Sequence, residues 1–309
     1  MRGLVLSGAN NLFQVECEDG FIRQCTIKGK VLEQDIRYHN PLAPGDFVEV
    51  EIDEHDLNEA QVLEMLPRKN FFARLNEKTL TPQILAANID LLLCITTPDE
   101  PPFRPIFVDR VLVQAAWQNI PVLIVLNKID LKLSKKKQVL VDAHLAEWQR
   151  LKYQLVKTSA STGEGLQELV KMINGKTICI AGQSGVGKSS LLNAIDSGLS
   201  LATGKVSEKY NKGSHTTTRG SFYKINKKFG NKNLQLNIID TPGIKNFSLY
   251  GIERDEIALY FPEMAEAVGK CKFGLSCSHT VDAGCEIVRL LDEGKISDLR
   301  YKSWLNMTE

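Results

Sequence analysis

Two different patterns of apolar and polar residues divide the chain. Up to about residue 66 the apolar segments are short, and runs such as FIRQCTIKG and DFVEVEI alternate apolar with polar positions. Alternation of this kind, interrupted by Pro and Gly, is typical of short β-strands with one buried face. Several such strands in succession indicate a small β-barrel. We predict an OB-fold over residues 1–68, with other small barrels as the alternative.

From residue 88 onward, strand-like apolar runs alternate with helix-like segments. The strand-like runs are IDLLLCITT, PVLIVLNK, YQLVKTSA, KTICIAG and LQLNIID, and the helix-like segments include IFVDRVLVQAAWQN and GEGLQELVKMI. This order predicts a mainly parallel sheet with helices on both faces, which we assign to an α/β domain over residues 69–247. The run PRKNFFARLN is interpreted as a linker. No strand is predicted after about residue 247, so residues 248–309 are expected to be helical.

A phosphate-binding loop follows the strand TICIA. Residues 182–189 read GQSGVGKS, which matches G-x-x-x-x-G-K-[ST], and they open the helix-like run SSLLNAI. Glycines let backbone N–H groups wrap around phosphates, and the helix N-terminus adds positive potential. Lys188 is expected to reach the β- and γ-phosphates, and the Ser189 hydroxyl to bind Mg²⁺. The alternative, a chance Gly-rich turn, does not explain this strand and helix context.

A second phosphate-side motif, DTPG, ends the strand LQLNIID. The carboxylate of Asp240 is placed to hold Mg²⁺, and the N–H of Gly243 is placed to sense the γ-phosphate. Alone, DTPG is a common turn sequence. Downstream of a phosphate loop and at the end of an apolar strand, it indicates the second half of a magnesium nucleotide site.

Between these two motifs lies the sequence GSHTTTR, residues 213–219. A threonine here can complete the Mg²⁺ shell when the γ-phosphate is present and release it after hydrolysis. Thr217 and Thr218 are the preferred candidates. Many GTPases carry a water-positioning Gln after the DxxG glycine, but here that position is Ile244, so His215 is a candidate for orienting the water. The alternative is a solvated polar loop.

Two further strand ends carry residues that read a guanine base. In NKID, after PVLIVL, Asp130 is expected to accept hydrogen bonds from the N1–H and 2-amino groups of guanine, donors that adenine lacks as a pair. Asn127 is expected to orient the loop, and the Lys128 stem to lie over the ring. After YQLVK, Ser159 and Ala160 are expected to offer backbone N–H to guanine O6. The protein is therefore predicted to bind GTP and not ATP.

The order of these motifs is unusual, because the base-reading loops precede the phosphate loop. Domain termini often lie close together, so we interpret the order as a circular permutation of a GTPase domain. The predicted catalytic residues are His215, Lys188 and Thr218, and the predicted Mg²⁺ ligands are Ser189, Thr218 and Asp240. The predicted GTP contacts are Asn127, Lys128, Asp130, Ser159, Ala160, Gly182, Gln183, Ser184, Gly185, Val186, Gly187, Lys188, Ser189, Ser190, Thr217, Asp240 and Gly243.

Charge and composition add local information only. The formal net charge is +1, but the first 66 residues are rich in acids, whereas residues 203–232 carry many lysines and one acid. That basic segment either contacts phosphates or is a solvated loop. The N-terminus lacks the features of a signal peptide, and no apolar run approaches the length of a membrane span. We therefore expect a cytoplasmic protein that does not enter a membrane.

Three of the seven cysteines cluster with a histidine near the C-terminus. Cys271, Cys277, His279 and Cys285 have the spacing C-x5-C-x-H-x5-C. In a reducing compartment this pattern indicates metal rather than disulfides, and three thiolates with one imidazole are typical of a closed structural Zn²⁺ site. The alternative is free cysteines beside an incidental histidine.

Taken together, these residues resemble the circularly permuted, ribosome small-subunit-dependent GTPases of the RsgA type. The resemblance covers essentially the whole chain and rests on PGDFVEVE, AANID, NKID, GQSGVGKSS, HTTT, DTPG and CKFGLSCSH…GC. It implies an OB-fold, a permuted GTPase domain and a C-terminal zinc domain. One departure concerns Cys271, because five residues separate it from Cys277 where the family usually has four.

The resemblance also implies a function. It implies hydrolysis of GTP to GDP and phosphate, stimulated by the small (30S) ribosomal subunit, in late maturation of that subunit. The implied partners are the small subunit with its rRNA and GTP or GDP, and we expect a monomer. Two alternatives stay open at this point: an RNA-binding module in which hydrolysis is incidental, and a GTPase that acts on a non-ribosomal partner.

Overall fold

The computed structural model describes residues 1–9, 11–29, 38, 40–76, 79–199, 220–230, 232–241, 247–280 and 284–308.

The N-terminal strands close into a barrel. They are β1 (Arg2–Ala9), β2 (Leu12–Cys17), β3 (Ile22–Ile27), β4 (Phe47–Ile52) and β5 (Glu59–Met65). Their order around the barrel is β1-β2-β3-β5-β4, β3 and β5 are parallel, and β4 pairs with β1 to close the ring. The alternating apolar side chains, including Val5, Val15, Val48 and Val62, fill the interior with no exposed surface. The predicted OB-type barrel is confirmed, and the structure shows that it has five strands.

A β-hairpin follows where a linker was predicted. β6 (Phe71–Asn76) pairs antiparallel with β7 (Thr81–Ala87), so the linker interpretation of PRKNFFARLN was wrong. Phe72 is fully buried and its ring stacks on that of Phe247, with 5.3 Å between the centroids. The hairpin is therefore stabilised by a residue far along the chain, a contact that local sequence patterns do not encode.

The hairpin and barrel meet at Gly45. Its φ is +94°, a conformation that favours glycine, and a Cβ there would lie 2.2 Å from the carbonyl oxygen of Ala87. The Ala87 N–H also donates to the Pro44 carbonyl at 3.0 Å. Glycine at position 45 thus allows two backbones to pack in direct contact.

A six-stranded sheet forms the centre of the molecule. Its strands are β8 (Leu91–Thr96), β9 (Val122–Leu126), β10 (Gln154–Lys157), β11 (Thr177–Gly182), β12 (Ser221–Phe229) and β13 (Lys232–Asp240). Their order is β10-β9-β8-β11-β13-β12, and every neighbouring pair is parallel except β12 with β13. The predicted, mainly parallel sheet is confirmed. β8, β9 and β10 precede β11 in the chain yet flank it on one side, as a permuted domain requires.

Helices cover both faces of this sheet, as predicted. They are α1 (Pro105–Trp117), α2 (Lys135–Arg150), α3 (Leu166–Ile173) and α4 (Lys188–Ile195). Leu112 of α1 and Trp148 of α2 belong to the apolar core on one face. Leu169 of α3 and Leu192 of α4 belong to the core on the other face.

The C-terminal region is helical in its described part, residues 247–280 and 284–308, which contains no strand. Its α-helices there are α5 (Pro262–Ala265), α6 (Glu286–Asp292) and α7 (Asp298–Thr308), with short 3₁₀ turns over Ile257–Tyr260 and Gly274–Ser276. The helical prediction is confirmed. The exact domain limits at residues 68 and 247 stay a prediction. Across the described residues, no helix combines the length and apolar character needed to span a bilayer.

A buried ionic group joins this region to the central domain. The Arg300 guanidinium of α7 donates to Asp109 of α1, and its Nε donates to Glu263 Oε1 at 2.6 Å. Asp109 also accepts from Trp148 Nε1 at 2.8 Å. The three charged side chains are at most 4% exposed. Because burial without a partner is costly for each charge, this contact fixes how the two regions pack.

Candidate nucleotide and metal sites

The predicted nucleotide motifs meet at one edge of the sheet. Each motif follows the carboxyl end of a strand, and β8, β9, β10, β11 and β13 all run in the same direction. Carboxyl ends of parallel strands form the usual ligand-binding crevice of an open α/β sheet. The phosphate loop leaves β11 near the middle of the sheet, NKID leaves β9, and TSA leaves β10.

The phosphate loop has the backbone that its glycines allow. Gly185 and Gly187 have φ of +85° and +91°, and Gly187 is the residue before α4. A Cβ on Gly187 would lie 2.4 Å from Asn127 Nδ2, so no larger residue fits without displacing that amide. The loop backbone therefore has a left-handed conformation at Gly185 and Gly187 before the helix begins. This conformation lets backbone N–H groups surround a phosphate.

Lys188 points back into the phosphate loop. Its Nζ donates to the backbone carbonyls of Gly182 and Gln183, both at 2.9 Å. Burial lowers the pKa of Lys188, and the nearby Asp240 carboxylate partly opposes that effect. The ammonium therefore gains by exchanging two carbonyl dipoles for phosphate oxygens when a nucleotide binds.

Asp240 and Ser189 lie on neighbouring elements beside the phosphate loop. Asp240 ends β13, directly beside β11, and Ser189 is the second residue of α4 and half-buried. Burial raises the pKa of Asp240, while Lys188 lowers it. Thr241, which sequence reasoning missed, is buried and its Oγ1 donates to the Ile180 carbonyl at 2.6 Å. That bond anchors the start of the DTPG turn to the phosphate-loop strand.

Asn127 joins the base-reading loops to the phosphate loop. Its buried Nδ2 donates to the Val186 carbonyl at 2.9 Å. Its Oδ1 accepts from Thr158 Oγ1 at 3.2 Å and from the Ala160 N–H at 3.3 Å. One side chain therefore ties together three loops that leave three different strands, and Thr158 is a contributor whose side chain sequence reasoning did not assign.

Asp130 is held ready to accept hydrogen bonds. Its exposed carboxylate accepts from Ser159 Oγ at 2.6 Å, and this bond is the main cause that lowers the pKa of Asp130. An ionised carboxylate is the acceptor that guanine recognition needs. Beside it, Lys128 Nζ donates to the Glu100 carbonyl at 2.5 Å, which fixes the lysine stem along the edge of the site.

The remaining predicted nucleotide contacts divide into two groups. Ser184 and Ser190 are exposed at the loop, whereas Gln183 and Val186 are buried. The switch candidates His215, Thr217 and Thr218, together with Gly243, lie outside the described residues, and their roles stay predictions.

The basic segment is described over residues 220–230 and at 232, where part of it forms the edge strand β12. Lys224 pairs with Glu16 of the barrel, and Lys227 Nζ lies 2.7 Å from Asp196 Oδ1. These two lysines thus bridge elements of the fold, and phosphate contact by the basic segment stays a prediction.

The predicted metal ligands form a compact cluster. The ligand atoms of Cys271, Cys277, His279 and Cys285 lie within 4.8 Å of one another, and all four residues are buried. His279 Nδ1 is 3.5 Å from Cys271 Sγ and 3.6 Å from Cys285 Sγ, and those two sulfurs are 3.9 Å apart. Despite the extra residue in its loop, Cys271 lies with the other three.

This geometry fits a tetrahedral metal ion. With bonds of about 2.3 Å to sulfur and about 2.0 Å to nitrogen, tetrahedral angles place two sulfurs about 3.8 Å apart and a sulfur about 3.5 Å from the nitrogen. The distances among Cys271, His279 and Cys285 match these values, so the cluster can hold a metal of the zinc type. All four positions of such an ion would be protein ligands, which is typical of a structural and not a catalytic site.

Groups around the cluster support the ligands, and sequence reasoning missed them. The N–H of Glu286 donates to Cys271 Sγ at 3.3 Å, and the N–H of Val288 donates to Cys285 Sγ at 3.5 Å. Tyr301 OH donates to the His279 carbonyl at 2.8 Å. N–H donors stabilise thiolates, and the tyrosine fixes the backbone of the histidine. Tyr301 lies on α7, so its role depends on packing that no local motif shows.

The fold and these loops define a P-loop GTPase whose G domain is circularly permuted. Residues 65–250 match the model of a protein family described as "RsgA GTPase". The match spans more than half of the 309 residues. The chain belongs to this family of GTP-hydrolysing enzymes.

Named relatives match along the whole chain. A protein of Bacteroides thetaiotaomicron, "Small ribosomal subunit biogenesis GTPase RsgA 2", is 37% identical over 311 residues, covering 100% of this chain and 96% of the relative. "Small ribosomal subunit biogenesis GTPase RsgA" of Borreliella burgdorferi is 36% identical over 304 residues, covering 98% of this chain and 94% of the relative.

Two solved structures share the fold. The crystal structure of YjeQ from Thermotoga maritima aligns with a TM-score of 0.72 at 31% identity, covering 99% of this chain and 96% of that one. The structure of YloQ, described as a circularly permuted GTPase, aligns with a TM-score of 0.67 at 23% identity, covering 99% and 93%. The second likeness concerns the fold alone.

Proposed function

We propose that this protein hydrolyses GTP to GDP and phosphate under stimulation by the small (30S) ribosomal subunit, late in maturation of that subunit. The observation that carries the proposal is the set of hydrogen bonds by which Asn127 joins NKID, TSA and the phosphate loop into one site. The names of its full-length relatives, small ribosomal subunit biogenesis GTPases, support the ribosomal part.

The phosphate end of the site binds by charge neutralisation. Lys188 leaves the carbonyls of Gly182 and Gln183 and turns to the β- and γ-phosphates, while N–H groups of 182–190 surround the phosphate oxygens. Mg²⁺, when bound with the nucleotide, neutralises charge that develops on those oxygens. Among the described residues, Ser189 and Asp240 are proposed to hold it.

The base end of the site selects guanine. The Asp130 carboxylate, kept ionised by Ser159, accepts from the N1–H and 2-amino groups of the base. The Lys128 stem covers the ring, and the backbone at Ser159 and Ala160 faces guanine O6. An adenine base leaves the carboxylate without its pair of donors, so ATP binds poorly.

The switch segment completes the reaction in this proposal. Thr217 and Thr218 supply the hydroxyl that senses Mg²⁺ in the GTP state, Gly243 senses the γ-phosphate, and His215 orients the water. Because Ile244 stands where many GTPases have glutamine, intrinsic hydrolysis is expected to be slow and to depend on the ribosomal partner.

The C-terminal cluster is proposed to hold one structural Zn²⁺ ion on Cys271, Cys277, His279 and Cys285. The closed donor set and its spacing support zinc. We further propose the domain limits 1–68, 69–247 and 248–309, a cytoplasmic monomer, and contact between the barrel or the basic segment 203–232 and rRNA of the subunit.

The test is phosphate release from GTP with purified small subunits, with large subunits as the control. Small subunits alone should stimulate release strongly, and Lys188→Ala should abolish it in every condition. Stimulation by both subunits, or by neither, would contradict the ribosomal part of the proposal. Release that is unchanged in Lys188→Ala would contradict the assigned phosphate site.

A further inference from the structure

The loop that follows β8, residues 97–103, is anchored at both ends. Thr97 is 1% exposed at the end of the sheet. At the other end, the Phe103 ring packs edge-on against His144 and Trp148 of α2, with centroids 5.6 and 6.1 Å apart. Between these anchors Asp99 and Pro101 are half-buried and Glu100 is exposed. Residues 99–101 therefore lie at the surface while the ends of the loop are fixed.

The middle of this loop touches two parts of the nucleotide site. The Glu100 carbonyl accepts from Lys128 Nζ of NKID at 2.5 Å. A Cβ on Gly185 of the phosphate loop would lie 3.5 Å from Pro101 Cδ, so the proline packs over that glycine. Two adjacent residues of the loop thus connect the base-reading loop with the phosphate loop.

Both residues of the lysine contact have a backbone conformation that side chains disfavour. The φ angle is +51° at Glu100 and +63° at Lys128, and neither residue is glycine. Such left-handed conformations persist where the surrounding contacts hold them, and they cluster at binding and catalytic sites. The contact between Glu100 and Lys128 therefore needs support from its neighbours.

An ion pair next to this contact supplies that support. The Lys137 ammonium, in the first turn of α2, donates to the Asp99 carboxylate, and the Asp99 N–H donates to Thr97 Oγ1 at 3.1 Å. The Lys137 and Asp99 side chains are 54% and 21% exposed. Exposed ion pairs contribute little to folding stability, so the main effect of this pair is on the position of the loop.

We propose that Asp99 and Lys137 are positioning residues that slow the release of the bound nucleotide. Their ion pair holds the Glu100 carbonyl against Lys128, so the lysine stem stays where the guanine ring binds. They act through Lys128, and neither residue belongs to a nucleotide motif. This inference rests on the proposed function for the identity of the nucleotide and adds the control of its release.

The test is the release of fluorescent GDP from the full chain, followed by stopped-flow mixing with unlabelled GDP. Lys137→Gln and Asp99→Asn should each speed release about two- to fivefold, and the double variant should be no faster, because the pair acts as a unit. Lys137→Arg keeps the charge and should keep the wild-type rate. Salt at about 1 M should reduce the difference between the variants and the wild type, because it screens an exposed pair.

Two further readouts separate positioning from a general structural effect. Single-turnover hydrolysis of bound GTP should not change in Asp99→Asn. The preference for GDP over inosine diphosphate, which lacks the 2-amino group, should not change either, because Lys128 covers the ring face and Asp130 reads its edge. Lys136→Gln removes an exposed charge from the same helical turn and, as the matched control, should leave release unchanged.

Three results would overturn this inference: release that is insensitive to Asp99, equal acceleration by Lys136→Gln, or additive effects of the Asp99 and Lys137 substitutions. A chain that does not bind GDP would contradict the proposed function itself. Normal GDP binding with release that does not respond to Asp99 would overturn this inference alone.

Discussion

The nucleotide site and the metal cluster are built in opposite ways. The nucleotide site draws residues from the ends of four parallel strands, β9, β10, β11 and β13, which span residues 122–240, and a large apolar core on each sheet face holds those strands. The metal ligands all fall between Cys271 and Cys285, where the described chain has only short helical turns. We therefore expect the first site to keep its fold when its ligand is removed, and the second to depend on its metal for structure.

This difference predicts how each region responds when a residue that contacts its ligand is lost. Loss of a nucleotide contact should reduce binding and leave the fold intact, because the sheet does not depend on the ligand. Loss of a metal ligand should unfold the region around it. The Arg300 ion group belongs to both regions and should show an intermediate effect.

The largest effect is expected from removing the metal. Chelation, or Cys277→Ser, should unfold the C-terminal region, because structural zinc supplies on the order of 10 kcal/mol in small metal domains. Amide hydrogen exchange is the measurement: protection should be lost over 257–308 and kept in β11. Ser278→Ala, an exposed neighbour of the ligands, is the control. Retained protection over 257–308 would mean that packing alone holds this region.

A smaller loss is expected when the ion group between the regions is broken. Arg300→Met leaves Asp109 and Glu263 buried without their partner, which costs about 3 to 5 kcal/mol for a buried pair. Chemical denaturation should show this loss. Arg289→Met, which removes an arginine from exposed ion pairs on α6, should change stability little. Equal effects of the two substitutions would show that Arg300 does not fix the domain contact.

Asp130 should contribute to the binding free energy of guanine about as much as one hydrogen bond to a charged group. Asp130→Asn should weaken GTP by roughly 3 kcal/mol, about a hundredfold, and improve binding of xanthosine triphosphate. Competitive nucleotide binding measures both, and Asp142→Asn on the exposed face of α2 controls for the change in charge. Unaltered base preference in Asp130→Asn would contradict the guanine assignment.

Substitution of Gly187 should have a smaller effect on GTP binding than substitution of Asp130. A Cβ there meets Asn127 Nδ2 at 2.4 Å in a left-handed conformation, so Gly187→Ala should cost about 1 to 3 kcal/mol, seen chiefly as weaker GTP binding. Gly175→Ala is the matched control, since its φ is +76° and no atom lies within 4 Å of the added Cβ. If both variants bind GTP equally well, the contact with Asn127 is not needed for the site.

The smallest predicted effect concerns the pH dependence of nucleotide affinity. Affinity should fall at both the alkaline and the acidic end of the pH range. Burial lowers the pKa of Lys188 below 10.5 in the free protein, and phosphates favour its ammonium form, so affinity should fall as pH rises through that lowered pKa. Burial raises the pKa of Asp240 above 3.8, so Mg²⁺-dependent affinity should fall as pH drops through that raised pKa. Affinity for GTP measured from pH 5 to 10 tests both limits.

The control for this pH profile is GDP binding without Mg²⁺. The acidic limit should then disappear, because Asp240 acts on the phosphates through the ion, and the alkaline limit should remain. An acidic limit that persists without Mg²⁺ would assign it to another group.

Much of the fold and of the candidate sites could be predicted from the sequence. The barrel follows from period-two alternation, the sheet from apolar runs that alternate with helical segments, and the permutation from the order of NKID, TSA and the phosphate loop. The four metal ligands follow from their types and spacing. These features are readable because each depends on residues close together in the chain, where periodicity and side-chain chemistry are expressed directly.

Other features were decided only by the tertiary structure. The β6–β7 hairpin is stabilised by Phe247, Arg300 meets Asp109 across 191 positions, and Asn127 bonds to a carbonyl 59 residues away. Phe103, Gln183, Phe247 and Asn306 line one pocket although they come from four parts of the chain. Such contacts depend on how the sheet order brings distant segments together. Apolar and polar patterns specify which face of each element is buried, but not which partner covers it.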